Sequence, residues 1–178
     1  MRRPWQKRTD KVRIFDDAAL RASAQDIIEF GDDLRRLIER LLRVQKRDHA
    51  IGVAATQIGE PWNIFVINGA AMRRGGKPEV YVNARIVSED GQEIDEEGCL
   101  SFPGIFVPIK RPGRVVLTAL DQDGDSFERE ASGLLARAYI HETDHLQGRL
   151  IIDRVSPNAR EKIIGQMSKR LWKAADYL

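Results

Sequence analysis

Cysteine is nearly absent from this chain. Cys99 is the only one in 178 residues, so no intrachain disulfide can form and a reducing, cytoplasmic setting is expected. No apolar run approaches the length of a membrane span, so no membrane partner is expected. A charge excess is missing too: 29 basic against 27 acidic residues leave +2, and nothing global argues for DNA or other nucleic acid. The basic start, Met1 to Arg8, has no apolar segment behind it and so does not read as a secretory signal. It reads as a short flexible basic end over about residues 1–10, with a fragment of organelle-targeting sequence as the other reading. Internal repeats and low-complexity segments are also lacking. What remains is a chain of one-domain length, 42% hydrophobic, with enough apolar material for one core.

Histidine is scarce as well, and two of the three histidines stand four residues apart in His141-Glu142-Thr143-Asp144-His145. On a helix, positions i and i+4 share a face, so both imidazoles can reach one ion. Glu142 lies one step round, where it can face a water bound to that ion. Two histidines and a carboxylate base suit metal-assisted hydrolysis. A catalytic site of this kind needs a third protein ligand and one open position. Cys99, in Glu97-Gly98-Cys99-Leu100-Ser101, would complete it as a thiolate; otherwise it is a small buried hydrophobe. His49, Asp153 and Glu161 are the other available donors.

The rest of the chain supplies the frame. Leu34, Leu37, Ile38, Leu41 and Leu42 recur at helical steps after Gly31-Asp32-Asp33, which predicts an amphipathic helix over 31–46. Its arginine-rich outer face reads as a solvated surface with carboxylate neighbours. Ile51 to Gly59 is dominated by small residues around one amide, Gln57, and admits both a tight structural turn and a place of close backbone approach. Strands are predicted at 62–67 and 80–87, joined by an exposed loop, and at 114–120 and 126–130 as a hairpin. Ser132 suits the N-cap of a helix running to about Gln147, with Gly148 as its stop. Its first half has little polar face, so the helix belongs in the interior. A short strand at 150–152 and a basic amphipathic helix over about 157–175 close the chain. The fold class is α+β, with mixed, mainly antiparallel strands around the buried helix.

Three stretches stand in order: Gly52-Val53-Ala54-Ala55-Thr56-Gln57, the Cys99 segment and His141 to Leu146. Together they closely resemble peptide deformylase, over about residues 12 to 155. The resemblance implies one catalytic domain over 1–178 that removes the formyl group from the N-terminal formyl-methionine of new polypeptides. It implies Cys99, His141 and His145 as ligands to Fe(2+), for which Zn(2+), Ni(2+) or Co(2+) can substitute. Glu142 becomes the general acid/base, and Gln57 with the Leu100 backbone N–H the oxyanion donors. Gly52, Ile51, Gly98, Arg111 and Ala138 are expected along the substrate path, Ile51 and Ala138 as candidates to line a methionine pocket. Family behaviour and the basic last helix suggest a ribosome as partner. Two positions depart from the family's habit: Ala50 where a glycine is common, and Ile140 where a glutamine is. The competing readings are a zinc peptidase with Asp153 or Glu161 as third ligand, and a non-catalytic metal protein docked on a ribonucleoprotein. A purely structural site would need neither Glu142 nor Gln57.

Overall fold

The computed structural model describes residues 10–69 and 76–175, with side chains described as far as Lys169. The basic end before Asp10, the Arg73-Arg74 part of the expected loop and Asp176 lie outside those residues, as do the side chains of Leu171 and Trp172 of the expected last helix.

Residues 11–29 are irregular apart from a 3-10 turn at Ala18–Arg21. Helix α1 spans Asp32–Arg47 and buries Leu34, Leu37, Ile38, Leu41 and Val44. Its arginines carry carboxylate neighbours, as the composition of that face led one to expect: Arg36 with Asp33, and Arg40 with both Asp10 and Glu60. Strand β1 (Gly52–Ala54) follows, then a 3-10 turn over Ala55–Ile58 that carries Gln57. Strands β2 (Ile64–Ile67) and β3 (Glu79–Asp90) match the two predicted strands, β3 extending further at its end.

Strands β4 (Glu93–Cys99) and β5 (Phe102–Arg111) form a separate two-stranded sheet that the sequence reading did not anticipate. Strands β6 (Arg114–Leu120) and β7 (Ser126–Ser132) make the expected hairpin. The larger sheet runs β1-β2-β3-β6-β7, and among the described residues every ladder is antiparallel, with one parallel bridge, Gln25 to Trp62.

Helix α2 (Gly133–Leu146) carries both motif histidines and is buried along most of its length. Its apolar side, with Ala136, Tyr139 and Ile140, packs on Phe65, Tyr81 and Leu117 of the five-stranded sheet. Ile140 therefore faces the core, where an apolar side chain needs no partner. Ser132 holds the N-cap position in extended conformation, but its side chain makes no capping bond. At the other end Gly148 has φ +69, the left-handed conformation that ends the helix, and a Cβ there would press on the Arg21 carbonyl at 2.4 Å.

The predicted strand at 150–152 is instead a 3-10 turn, Ile151–Asp153. Its cause is local: the Asp153 carboxylate accepts the Leu150 N–H at 2.8 Å and closes the turn. Helix α3 (Pro157–Ala175) starts with proline at its first position and lays Ile163 and Met167 on Phe102, Ile105 and Ile109 of β5. No helix among the described residues is long and apolar enough to cross a membrane.

Candidate metal centre and active site

The site forms where three elements meet. Helix α2 delivers His141 and His145 from one face, their rings 4.9 Å apart. The end of β4 delivers Cys99, whose Sγ lies 3.2 Å from His145 Nε2. The 3-10 turn after β1 delivers Gln57, whose Nε2 lies 3.6 Å from the same sulfur and 3.4 Å from Ser101 Oγ. One ligand atom from each of Cys99, His141 and His145 falls within 4.8 Å of the others. This soft thiolate with two imidazoles suits a divalent transition metal.

The other candidate donors are elsewhere. Asp153 pairs with Arg21 and Arg160 at the surface, and Glu161 is exposed on α3. His49 is exposed at the rim of the cleft. Two buried polar atoms at the centre, Glu142 Oε2 and His145 Nδ1, have no hydrogen-bond partner among the described residues. An unsatisfied carboxylate oxygen beside three converging ligand atoms is what a site made for a metal and a polar ligand would show.

Electrostatics sharpen the picture. Burial pushes the Glu142 carboxyl up to about 7, against the lowering charges of His141 and His145. A carboxyl that titrates near neutrality can both take and return a proton. Burial opposes ionisation of the Cys99 thiol, but the neighbouring His145 and His141 hold it well below its ordinary value, a shift that favours the thiolate form. Burial would likewise raise Glu97, yet hydrogen bonds from Arg111 and then His141 hold it below the ordinary carboxylate range. Glu97 Oε2 meets His141 Nδ1 at 3.0 Å, which leaves Nε2 as the ring nitrogen for a metal.

A cleft of about 480 Å³ opens over this centre. Ile51, Gly52, Gln57, Gly98, Leu100 and Ala138 all line it, together with Cys99, His141 and Glu142. His145 lies behind them, 2% exposed. Gly52 is required by contact: a Cβ there would stand 2.4 Å from Glu142 Oε1. The backbone of β1 thus runs directly against the carboxylate. Ala50, the departure from the family's habit, also lines the cleft.

Arg111, expected along the substrate path, is buried beside the centre. It is 2% exposed and lies behind the cleft, where it donates to both Glu97 oxygens at 2.8 Å and to Asp144 at 2.5 Å. It is not among the residues that line the cleft, and its bonds tie β5 to β4 and to α2. Sequence reading also passed over Arg137, 5% exposed in the apolar half of α2. A charge inside an apolar helix needs a buried carboxylate partner, and that signal points to Glu97.

The model of the family described as polypeptide deformylase matches residues 9–161. The chain belongs to the polypeptide deformylase family. It is 38% identical to the peptide deformylase of Thermodesulfovibrio yellowstonii over 151 residues, covering 85% of this chain and 92% of that one. The crystal structure of a peptide deformylase from Legionella pneumophila is similar with a TM-score of 0.86 and 34% identity, over 93% of this chain and 96% of that one. A peptide deformylase from Synechococcus elongatus, solved in complex with actinonin, gives a TM-score of 0.83 at 32% identity, over 93% and 89% of the two chains. Family membership and the Cys-His-His group together make this a metal-dependent hydrolase of the deformylase type.

Proposed function

We propose that residues 1–178 act as one catalytic domain that hydrolyses the formyl group from N-formyl-methionyl peptides, with Fe(2+) held by Cys99, His141 and His145. The observation that carries this is the convergence of those three ligand atoms beside the buried, unpartnered carboxylate oxygen of Glu142. The metal, when bound, supplies Lewis acidity that brings a water's pKa from about 15.7 toward about 7.

Everything else falls to the chain. Glu142 takes the proton of the attacking water and passes it to the leaving amine. Gln57 Nε2 and the Leu100 N–H donate to the oxyanion that forms on the formyl carbon. The Gln57 amide is oriented for this because its Oε1 accepts the Ala54 N–H at 3.0 Å, which turns Nε2 toward Cys99. Backbone at Gly98 to Leu100 crowds the centre enough to admit formyl and reject acetyl. Ile51, Leu100, Ile105, Leu134 and Ala138 offer the methionine side chain an apolar wall.

Anaerobically purified protein should deformylate formyl-Met-Ala-Ser and carry one iron per chain, both measured on one sample. Activity with zinc would keep the reaction and overturn the metal; a full metal site without activity would overturn the reaction. Actinonin, seen bound to the Synechococcus relative, is expected to inhibit.

The setting is cytoplasmic, close to nascent chains, and α3 presents Arg160, Lys162 and Lys169 outward as a surface for the ribosome. Charge reversal at Lys162 and Lys169 should weaken co-sedimentation with ribosomes; unchanged co-sedimentation would remove this partner.

A further inference from the structure

We propose that Arg137 is the positioning residue that sets the separation between the Cys99 arm and the histidine helix, and with it the metal affinity of the site. The inference rests on the Cys99, His141 and His145 site proposed above. The sheet β4-β5 shares no ladder with the five-stranded sheet, so backbone pairing does not fix where Cys99 stands relative to α2. Arg137 bridges that gap. Its Nη1 donates to Glu97 Oε1 at 2.7 Å and to the Ile109 carbonyl at 2.9 Å, with the Asp95 carbonyl at 3.5 Å. Its Nη2 donates to the Glu93 carbonyl at 3.3 Å. One guanidinium therefore gathers both strands of the hairpin.

The same contacts close a loop through the ligands. Arg137 stands one turn before His141 on the same face of α2. Its partner Glu97 holds His141 Nδ1 through the other carboxylate oxygen, and Cys99 follows Glu97 by two residues along β4. The two charged members that link helix to hairpin, Arg137 and Glu97, are both 5% exposed. Charge balance alone does not explain Arg137, because Arg111 already donates to both oxygens of Glu97. The additional donors of Arg137 go to backbone carbonyls, which is work for a planar fork and not for a lysine ammonium.

The test uses metal-stripped full-length protein reloaded with cobalt(II), with affinity read by chelator competition and Cys99 ligation by the thiolate-to-cobalt charge-transfer band. In the parent, cobalt(II) should bind with that band present. Arg137→Met keeps the stem and removes the fork; it should bind cobalt(II) about 10–100-fold more weakly, with a diminished band and unchanged circular dichroism. Affinity and band equal to the parent's, with only a lower melting temperature, would mean a structural role and overturn the inference. Should Arg137→Met fail to fold, Arg137→Lys serves: weaker cobalt binding supports the inference and parental affinity overturns it. A parent without the band would instead bring down the metal site, and this inference with it.

Discussion

Strand β2 of the five-stranded sheet buries all four of its side chains, Ile64 to Ile67, whereas β4 of the hairpin leaves Glu93 to Glu96 exposed. The large sheet meets α2 through Phe65, Tyr81 and Leu117 against Tyr139 and Ile140. The hairpin meets α2 through Glu97, Arg111, Arg137, His141 and Asp144. Apolar burial is strong, about 1.5–3 kcal/mol for each large side chain, but it has no direction. Buried ion pairs contribute little net stability because desolvation offsets their attraction, yet their geometry is specific. The molecule uses the first where it must stay folded and the second where a ligand atom must stand at a fixed place.

The hardest blow to this division is struck at the carboxylate both regions enclose. Glu142→Gln should lower kcat/KM for formyl-Met-Ala-Ser by about 10²–10⁴-fold with the metal retained; near-parental activity would remove Glu142 as the acid/base. Next in size, Phe65→Ala should lower stability by about 3–5 kcal/mol and leave the cobalt affinity of the folded protein unchanged. Arg111→Met should lower stability comparably and weaken cobalt binding as well, because it leaves Glu97 without one of its two arginines. Denaturant melts with cobalt titrations distinguish the two, and equal metal affinity in both variants would erase the comparison.

The smallest effect is on pH dependence. Glu142 ordinarily titrates at 4.5 and in the fold at about 7, so between those values the folded protein holds a proton the unfolded chain has lost. The Glu142 contribution to the stability of the metal-free protein should therefore fall as pH rises through that window, by an amount on the order of 3 kcal/mol. Glu142→Gln should flatten that slope, raising the melting temperature at pH 8 and leaving it alone near pH 4.5. A slope that survives the substitution belongs to another group.

Apolar periodicity made α1, β2, β3 and the β6-β7 hairpin legible, because in each the alternation of burial is written in the residues themselves. The His141 and His145 spacing was legible for the same reason, since a helix puts i and i+4 on one face. The hairpin was not: Glu93-Ile94-Asp95-Glu96-Glu97 has no apolar alternation, and only pairing with β5 makes it a strand. Ile151 and Ile152 suggested a strand by side-chain shape, but a hydrogen bond from backbone to Asp153 decided for a turn.

By itself the sequence determined the chemistry present: one thiol, two histidines a turn apart, one glutamate between them and one amide among small residues. Only the tertiary structure decided that Cys99, 42 residues before His141 in the chain, stands within ligand distance of it. It also gave Arg111 its buried partners Glu97 and Asp144 and brought Arg137 between α2 and the β4-β5 hairpin. The physical reason is that residue type and spacing specify local faces. The distance between two faces is set by what packs and bonds between them, and here that is a buried cluster of charges drawn from β4, β5 and α2.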